Sequence, residues 1–331
     1  MAGFPHRQPE RYLRPMLPER THIRALCAPL LLALAGACGG EVAPDPAPEP
    51  GSAPAIAEPS SDVLERSHER SLVFLAQGAD SSVVIPTSFR TSVRGATTTR
   101  EASAWMGLNG AWELMALDSA VNETLPSPFR TLPTRRIRIV VGEEDALEAV
   151  LVRDSLYRAD LHAEMALESW VGTTGEALTL RRAAAILDEE ELTGVLLDLS
   201  LLEPGSRDWI LLESGDDFQS VLIQDPDGGG TPGYQGWGRV AVRDVRWPEM
   251  TVEWDELRAF EQARRDIPAR WIITTPGGEL SGTLESIGAH LSAGEGEGPL
   301  LPVSAWFQVR GEMEVEGEVF DVTGVIRHRQ H

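Results

Sequence analysis

The chain has 331 residues, 42% of them hydrophobic, which is enough for two ordinary domains with their own cores. Acidic residues outnumber basic residues by 51 to 29, and the formal net charge of −22 excludes nucleic-acid binding and repels anionic membrane surfaces. None of the basic residues is a lysine, which excludes Schiff-base chemistry, a Walker A loop and a lysine general base.

Residues 1–37 resemble a bacterial lipoprotein signal peptide. Basic residues precede an apolar run from Ala25 to Ala37 that is too short to span a bilayer, and Leu34-Ala-Gly-Ala-Cys38 follows the expected cleavage pattern. The pattern predicts cleavage before Cys38 and lipidation of that residue; the alternative is a plain secretory peptide with an incidental cysteine. In either case the start is Met1 or Met16. Because Gly39 and not Asp follows Cys38, the resemblance implies the bacterial outer membrane, with the protein facing the periplasm.

The mature chain is expected to contain a tether and two β-domains. Residues 38–62 combine the lipid-anchor cysteine with a Pro/Ala/Glu-rich tether that cannot form a core. Residues 63–200 form the predicted N-terminal domain, in which Arg136 to Val141 and Leu161 to Trp170 alternate as strands do. Residues 201–331 form the predicted C-terminal domain. Without Cys27, removed with the leader, no disulfide or thiol chemistry remains.

The C-terminal half is a succession of short β-patterns. Trp209 to Ile223 is two apolar runs around Ser214-Gly-Asp-Asp217, which predicts a hairpin. Strands are also predicted at Trp237 to Arg243 and at Met250 to Trp254. Acidic residues at the start, arginines at the end and Pro268 beyond predict a short helix over residues 255–265. Glycine-punctuated alternation over residues 308–325 predicts an antiparallel meander.

The order of these motifs resembles the C-terminal lipocalin-like domain of the AttH and carotenoid 1,2-hydratase (hydroxyneurosporene synthase) family. The matching positions are Asp208-Trp209, Asp225-Pro-Asp-Gly228, Ile267-Pro268 with Trp271, Gly311 to Gly317, and Asp321-Val-Thr-Gly-Val325. The chain departs from the family pattern at Ile267 and Val325, where tyrosines are usual. The resemblance implies an all-β fold of two lipocalin-like (calycin) antiparallel barrels in tandem.

The same resemblance directs attention to carboxylates at the end of the first domain. Hydration of an isoprenoid double bond needs a carboxylic acid kept protonated in an apolar pocket. The nearest match to the family signature is Gly194-Val-Leu-Leu-Asp198, without its tryptophans and one residue short, so Asp198 is the first candidate acid and Asp188 the second. The alternative is that Asp198 is a structural carboxylate at a strand end.

Aromatic residues supply a second candidate site. Tryptophans on separate strands are candidates for lining a hydrophobic ligand site, or else for simple core filling: Trp209, Trp237, Trp254 and Trp271. The spacing of ligand-type residues predicts no metal site and no cofactor, and His328 and His331 are expected to lie in a fraying tail.

Three functions follow as hypotheses. The first is an outer-membrane lipoprotein that binds a hydrophobic small molecule such as a lipid or isoprenoid. The second is a hydratase-type lyase that adds water to an isoprenoid double bond. The third is a structural envelope protein without a ligand.

Overall fold

The computed structural model describes residues 65–77, 81–95, 97–123, 136–142, 146–171, 176–201, 207–225 and 233–331. Across these ranges every regular element is a β-strand, and the strands form two antiparallel sheets. The expected all-β fold with two antiparallel barrels is thereby confirmed. Cys38 and the tether lie outside the described residues.

The N-terminal domain is a nine-stranded sheet that curls into a nearly closed barrel. Its hydrogen-bonded order is β4-β3-β2-β1-β9-β8-β7-β6-β5, so β4 and β5 are the two edges. Alternate residues point inward and form the core, with Phe74, Ile85 and Leu161 among those fully buried. The strands are β1 (Glu65–Gln77), β2 (Ser82–Arg94), β3 (Thr97–Leu108), β4 (Ala111–Glu123), β5 (Ile137–Val141), β6 (Leu147–Arg153), β7 (Arg158–Val171), β8 (Ala177–Leu187) and β9 (Glu190–Leu201).

The C-terminal domain is a closed eight-stranded barrel in which each strand pairs with its sequence neighbours and β17 closes onto β10. Its interior is filled by large apolar side chains, among them Phe218, Trp271 and Phe307. The strands are β10 (Trp209–Ser214), β11 (Phe218–Gln224), β12 (Gly233–Val240), β13 (Arg243–Phe260), β14 (Arg265–Thr274), β15 (Leu280–Ala293), β16 (Val303–Val315) and β17 (Glu318–Gln330).

The helix predicted over residues 255–265 is wrong. Strand β13 continues through this stretch to Phe260 and pairs with β14, with Leu257 opposite Pro268, and a tight turn follows at Glu261–Arg264. Register shifts after Trp254 curve the strand so that it stays on the barrel. The helix-like charge pattern is local, whereas closing the barrel requires a strand here, and this long-range pairing outweighs the local preference.

The outer faces of the two barrels pack against each other. A shared apolar cluster includes Leu75 and Leu197 from the first domain with Trp209 and Trp237 from the second. Fully buried Gln308 crosses the interface, since its Nε2 donates to the Ser82 carbonyl oxygen at 2.9 Å. Its Oε1 accepts from the amide nitrogen of Gly110 at 2.7 Å.

The turn between β3 and β4 makes the closest approach at this interface. A Cβ added at Gly288 of β15 would lie 1.9 Å from the Gly110 carbonyl oxygen, so only glycine fits there. This contact and the Gln308 hydrogen bonds fix the two barrels beside each other along one side. Next to this contact the walls of the two barrels leave a cleft, which begins at His290 of β15.

Candidate functional site

A cleft of about 1200 Å³ lies between the two barrels. One wall is formed by residues of β2–β4 with Arg136, which precedes β5, and the other by residues of β15–β17. The side chains that face it are chiefly polar or aromatic: Ser88, Arg90, Glu101, Ser103, Trp105, Leu117, Ser119 and Arg136 on the first wall, and His290, Ser292, Ser304, Trp306, Arg327 and Arg329 on the second. The volume is somewhat above the range of about 300–1000 Å³ that is usual for small-molecule sites, so the cleft has room for such a ligand.

An aromatic pair joins the two walls. Trp105 of β3 stacks on His290 of β15, with ring centroids 3.6 Å apart and planes inclined by 28°. Burial, and then the nearby positive charge of Arg327, lower the pKa of His290. The imidazole is therefore mostly neutral at neutral pH, so it can accept a hydrogen bond or a proton.

Arg327 is an unpaired cation at the base of the cleft. Its guanidinium lies 4.7 Å from the Trp306 ring centroid and donates to the Ala305 carbonyl oxygen at 3.1 Å. Burial lowers the pKa of Arg327 to about 9, which still leaves the side chain cationic at neutral pH. No described carboxylate lies within ion-pair distance of it. Arg327 therefore keeps donors free for an acceptor from outside the chain.

The other charges of the cleft are unevenly balanced. Arg329 is held by Glu69, whose two carboxylate oxygens accept from its Nη2 at 2.9 and 3.2 Å. Asp118 already accepts from the Arg136 amide nitrogen at 2.9 Å. In total the lining contains four arginines and three carboxylates, although the whole chain has 51 acidic residues against 29 basic ones. The cleft is thus a local exception to the strongly acidic surface.

The two predicted catalytic acids lie elsewhere. Asp198 points into the N-terminal barrel, where Arg70 donates through Nε to Oδ1 at 2.8 Å and through Nη2 to Oδ2 at 2.5 Å. Such a two-point guanidinium contact suits an ionised carboxylate, whereas proton donation needs the protonated acid. Asp188 is an exposed turn residue with φ of 46°, and its Oδ1 accepts from the Arg158 amide nitrogen.

The four predicted tryptophans do not form one site. Trp209 and Trp237 are buried in the apolar cluster between the barrels, and Trp271 fills the interior of the C-terminal barrel against Phe307. Trp254 is 43% exposed. The structure therefore supports core filling for three of them. Trp306, by contrast, reaches the cleft and makes an edge contact with Trp209, with ring centroids 5.5 Å apart.

The expectation of a fraying C-terminal tail is wrong for His328. Strand β17 extends to Gln330, and His328 is buried inside the barrel with its Nδ1 2.5 Å from Oδ2 of Asp208. Asp208 also accepts from the Arg329 amide nitrogen at 2.7 Å. The alternation of Phe320, Val322 and Ile326 places His328 on the inner face and could have revealed this. The pair closes one end of the barrel.

Sequence reasoning did not find the residues that line the cleft. They come singly from strands almost two hundred residues apart, such as Trp105 and His290, and no motif groups them. Within the described ranges, no cluster of three or more metal-ligating side chains is present. No helix of the described chain is long and apolar enough to cross a membrane.

The fold, but not the sequence, matches known proteins. Neither a protein-family model nor a curated protein matches the sequence significantly. A structure assigned as AttH from Nitrosomonas europaea superposes with a TM-score of 0.55 at 8% identity, covering 80% of this chain and 92% of that chain. Kievitone hydratase from Nectria haematococca superposes with a TM-score of 0.52 at 14% identity, covering 80% and 89%. The chain has the tandem lipocalin-like β-barrel fold of these two proteins.

Proposed function

We propose that this protein binds a small amphiphilic molecule, an apolar body carrying an acidic group, in the cleft between its two barrels. Arg327 carries the proposal, because it is a partly buried cation with donors to spare beside an aromatic ring. A carboxylate or similar group would pair with Arg327, and the apolar body would lie against Trp105 and Trp306. The proposed ligand is therefore a hydrophobic molecule, as predicted from the sequence, that also carries an acidic group at one end.

We further propose that the protein is a lipoprotein, anchored to the outer membrane through Cys38 and facing the periplasm. The support is the basic leader, the short apolar run and the Leu-Ala-Gly-Ala-Cys pattern that ends at Cys38. Two or three acyl chains suffice for stable anchoring, so the cleft would be held near a source of amphiphiles. Mass spectrometry of the native N-terminus tests this directly: a diacylglyceryl-modified Cys38 is expected, and an unmodified Cys38 would refute it.

A lyase that adds or removes water is the second candidate function. Acid–base chemistry needs a proton acceptor and a proton donor on either side of the substrate. His290, with its lowered pKa, could accept a proton, and the cleft carboxylate Glu101 could act with it. The fold likeness to kievitone hydratase is consistent with this chemistry but, at 14% identity, does not assign it.

Identification of the natural ligand is the experiment that separates these functions from a structural role. The full chain would be purified in mild detergent from its own host and measured by native mass spectrometry, followed by solvent extraction. We expect a co-purifying acidic amphiphile that is depleted at least tenfold in Arg327→Met and retained in Arg310→Met, an exposed arginine on β16 outside the cleft.

The outcomes differ for the three functions. Equal amounts of the molecule in the wild type, Arg327→Met and Arg310→Met would place it outside the cleft. No co-purifying molecule in any of these proteins would favour a structural role. If the extracted molecule has a hydratable double bond, incubation in H₂¹⁸O followed by mass spectrometry tests for water addition. A lyase would incorporate ¹⁸O and lose that activity in His290→Phe, whereas a binding protein would return the molecule unchanged.

A further inference from the structure

The interior of the N-terminal barrel contains a buried arginine that the cleft does not use. Arg100 of β3 has no exposed surface, and its Nε, Nη1 and Nη2 all lack a hydrogen-bond partner. Because arginine stays protonated at any physiological pH, a full positive charge lies buried without compensation. An isolated buried charge is strongly unfavourable, so this guanidinium is suited to an acceptor from outside the chain.

Strand alternation shows that Arg100 points into the barrel. Residues 102 and 104 of the same strand, both alanines, belong to the core of the N-terminal domain and share its face. On the neighbouring strands, Thr91 of β2 and Ala120 of β4 lie directly opposite Arg100. All of these neighbours have short side chains, and none of them is charged.

Thr98 adds another donor on this face. Thr98 lies two residues before Arg100 on the same strand and is 1% exposed, and its Oγ1 also has no hydrogen-bond partner. Arg181 of β8 contributes a further unpartnered buried nitrogen, its Nε, to the polar groups of this domain. Asp198, which could have neutralised a cation in this interior, is already engaged by Arg70.

We propose that Arg100 and Thr98 form a buried oxyanion site inside the N-terminal barrel, which takes a carboxylate or phosphate group. The guanidinium offers a planar fork of donors that matches two oxygens of such a group, and the threonine hydroxyl can donate to a third position. Neither Arg100 nor Thr98 lines the cleft, so this proposal does not depend on the function proposed above. Its occupant is either a small free anion or the head group of a larger molecule whose tail lies along the barrel.

Anion titration of the full chain tests the proposal. Inorganic phosphate, acetate and hexanoate would be added separately at constant ionic strength, with binding followed by calorimetry and by thermal melting. The wild type should bind at least one of them saturably, with a rise in melting temperature. Preference for phosphate or acetate would indicate a free anion, whereas preference for hexanoate would indicate a head group with a tail.

Three variants make the test specific. Arg100→Met should weaken binding at least tenfold and, without anion, should melt no lower than the wild type, because it removes the uncompensated charge. Arg100→Lys keeps the charge but loses the fork, so intermediate affinity is expected. Arg138→Met removes an exposed arginine of β5 and should bind as the wild type does.

Three results would overturn the proposal. One is a wild type that binds none of the three anions, which can be established even if Arg100→Met does not fold. The second is anion binding that is equal in the wild type, Arg100→Met and Arg100→Lys. The third is a lower melting temperature for Arg100→Met than for the wild type, with neither melting temperature changed by anions. This result would mean that a group of the chain itself already pairs with Arg100.

Discussion

Glu213 is expected to make the stability of this protein fall as the pH rises. The side chain is 3% exposed on the face of β10 that meets the N-terminal domain, and its Oε1 has no hydrogen-bond partner. Burial, and then the negative charge of Asp216, raise the pKa of Glu213 to about 8 from an ordinary value of 4.5. At neutral pH the folded protein therefore holds this carboxyl in its protonated form.

The sign of the effect follows from proton linkage. Between the unfolded and folded pKa values the native state binds one proton more than the unfolded state, so stability is complete below about pH 4.5 and is lost as the pH rises toward 8. Each pKa unit corresponds to about 1.4 kcal/mol, which sets a ceiling of about 5 kcal/mol for the whole range. We expect a measured loss of about 2–3 kcal/mol between pH 5 and pH 8, because structural relaxation reduces such shifts.

Urea unfolding of the wild type and Glu213→Gln at several pH values checks this expectation. Glutamine mimics the protonated acid, so the two proteins should be similar at pH 5, and the variant should be more stable by about 2–3 kcal/mol at pH 8. Glu253→Gln, which alters an exposed carboxylate of β13, should follow the wild type at every pH. A stability difference between the wild type and Glu213→Gln that does not change with pH would refute the reasoning.

Two further substitutions test the packing of the fold. Gly288→Ala should destabilise the protein by about 2 kcal/mol in urea unfolding, since its Cβ would meet the Gly110 carbonyl oxygen at 1.9 Å. The control Gly298→Ala, whose Cβ would lie 3.4 Å from its nearest neighbour, should have no effect. Equal stability of the two variants would contradict the interface described. Arg70→Met should lower the free energy of unfolding by about 3 kcal/mol, because it leaves the Asp198 carboxylate unpaired inside the barrel. The double variant Arg70→Met/Asp198→Leu should recover part of that stability. If the losses of the two single variants instead add up in the double variant, the pair is not coupled.

Much of the fold could be predicted from residue alternation. Clear period-two patterns such as Arg136 to Val141 became strands, and large apolar residues such as Trp271 became core. The run at residues 209–213 is different, because all five residues are buried. Such a run signals a strand covered on both faces, yet alternation alone does not say which face meets the barrel interior and which meets the other domain. The sequence therefore left Trp209 a candidate either for lining a ligand site or for core filling, and in the structure it lies between the barrels.

The failed helix and the undetected cleft share one physical cause. In both cases residues far apart in sequence decide the outcome. The stretch around Leu257 is held as a strand by its pairing with β14, and the cleft exists because Trp105 and Arg327 belong to faces that meet only in the folded protein. Local charge patterns and motifs do not contain this information. Asp198 is a further case. Its apolar flanking residues can be read from the sequence, but its ion-pair partner Arg70, 128 residues away, cannot.

The affinity of the protein for a simple acidic amphiphile tests the central claim most directly. Decanoate and decanol would be titrated into the full chain and into Arg327→Met by calorimetry, with Arg310→Met as the control. The wild type should bind decanoate at least tenfold more tightly than decanol, and Arg327→Met should lose that preference because the free guanidinium in the cleft is gone. Equal affinity of the wild type for the acid and the alcohol, or an undiminished preference in Arg327→Met, would contradict a cleft that recognises an acidic group.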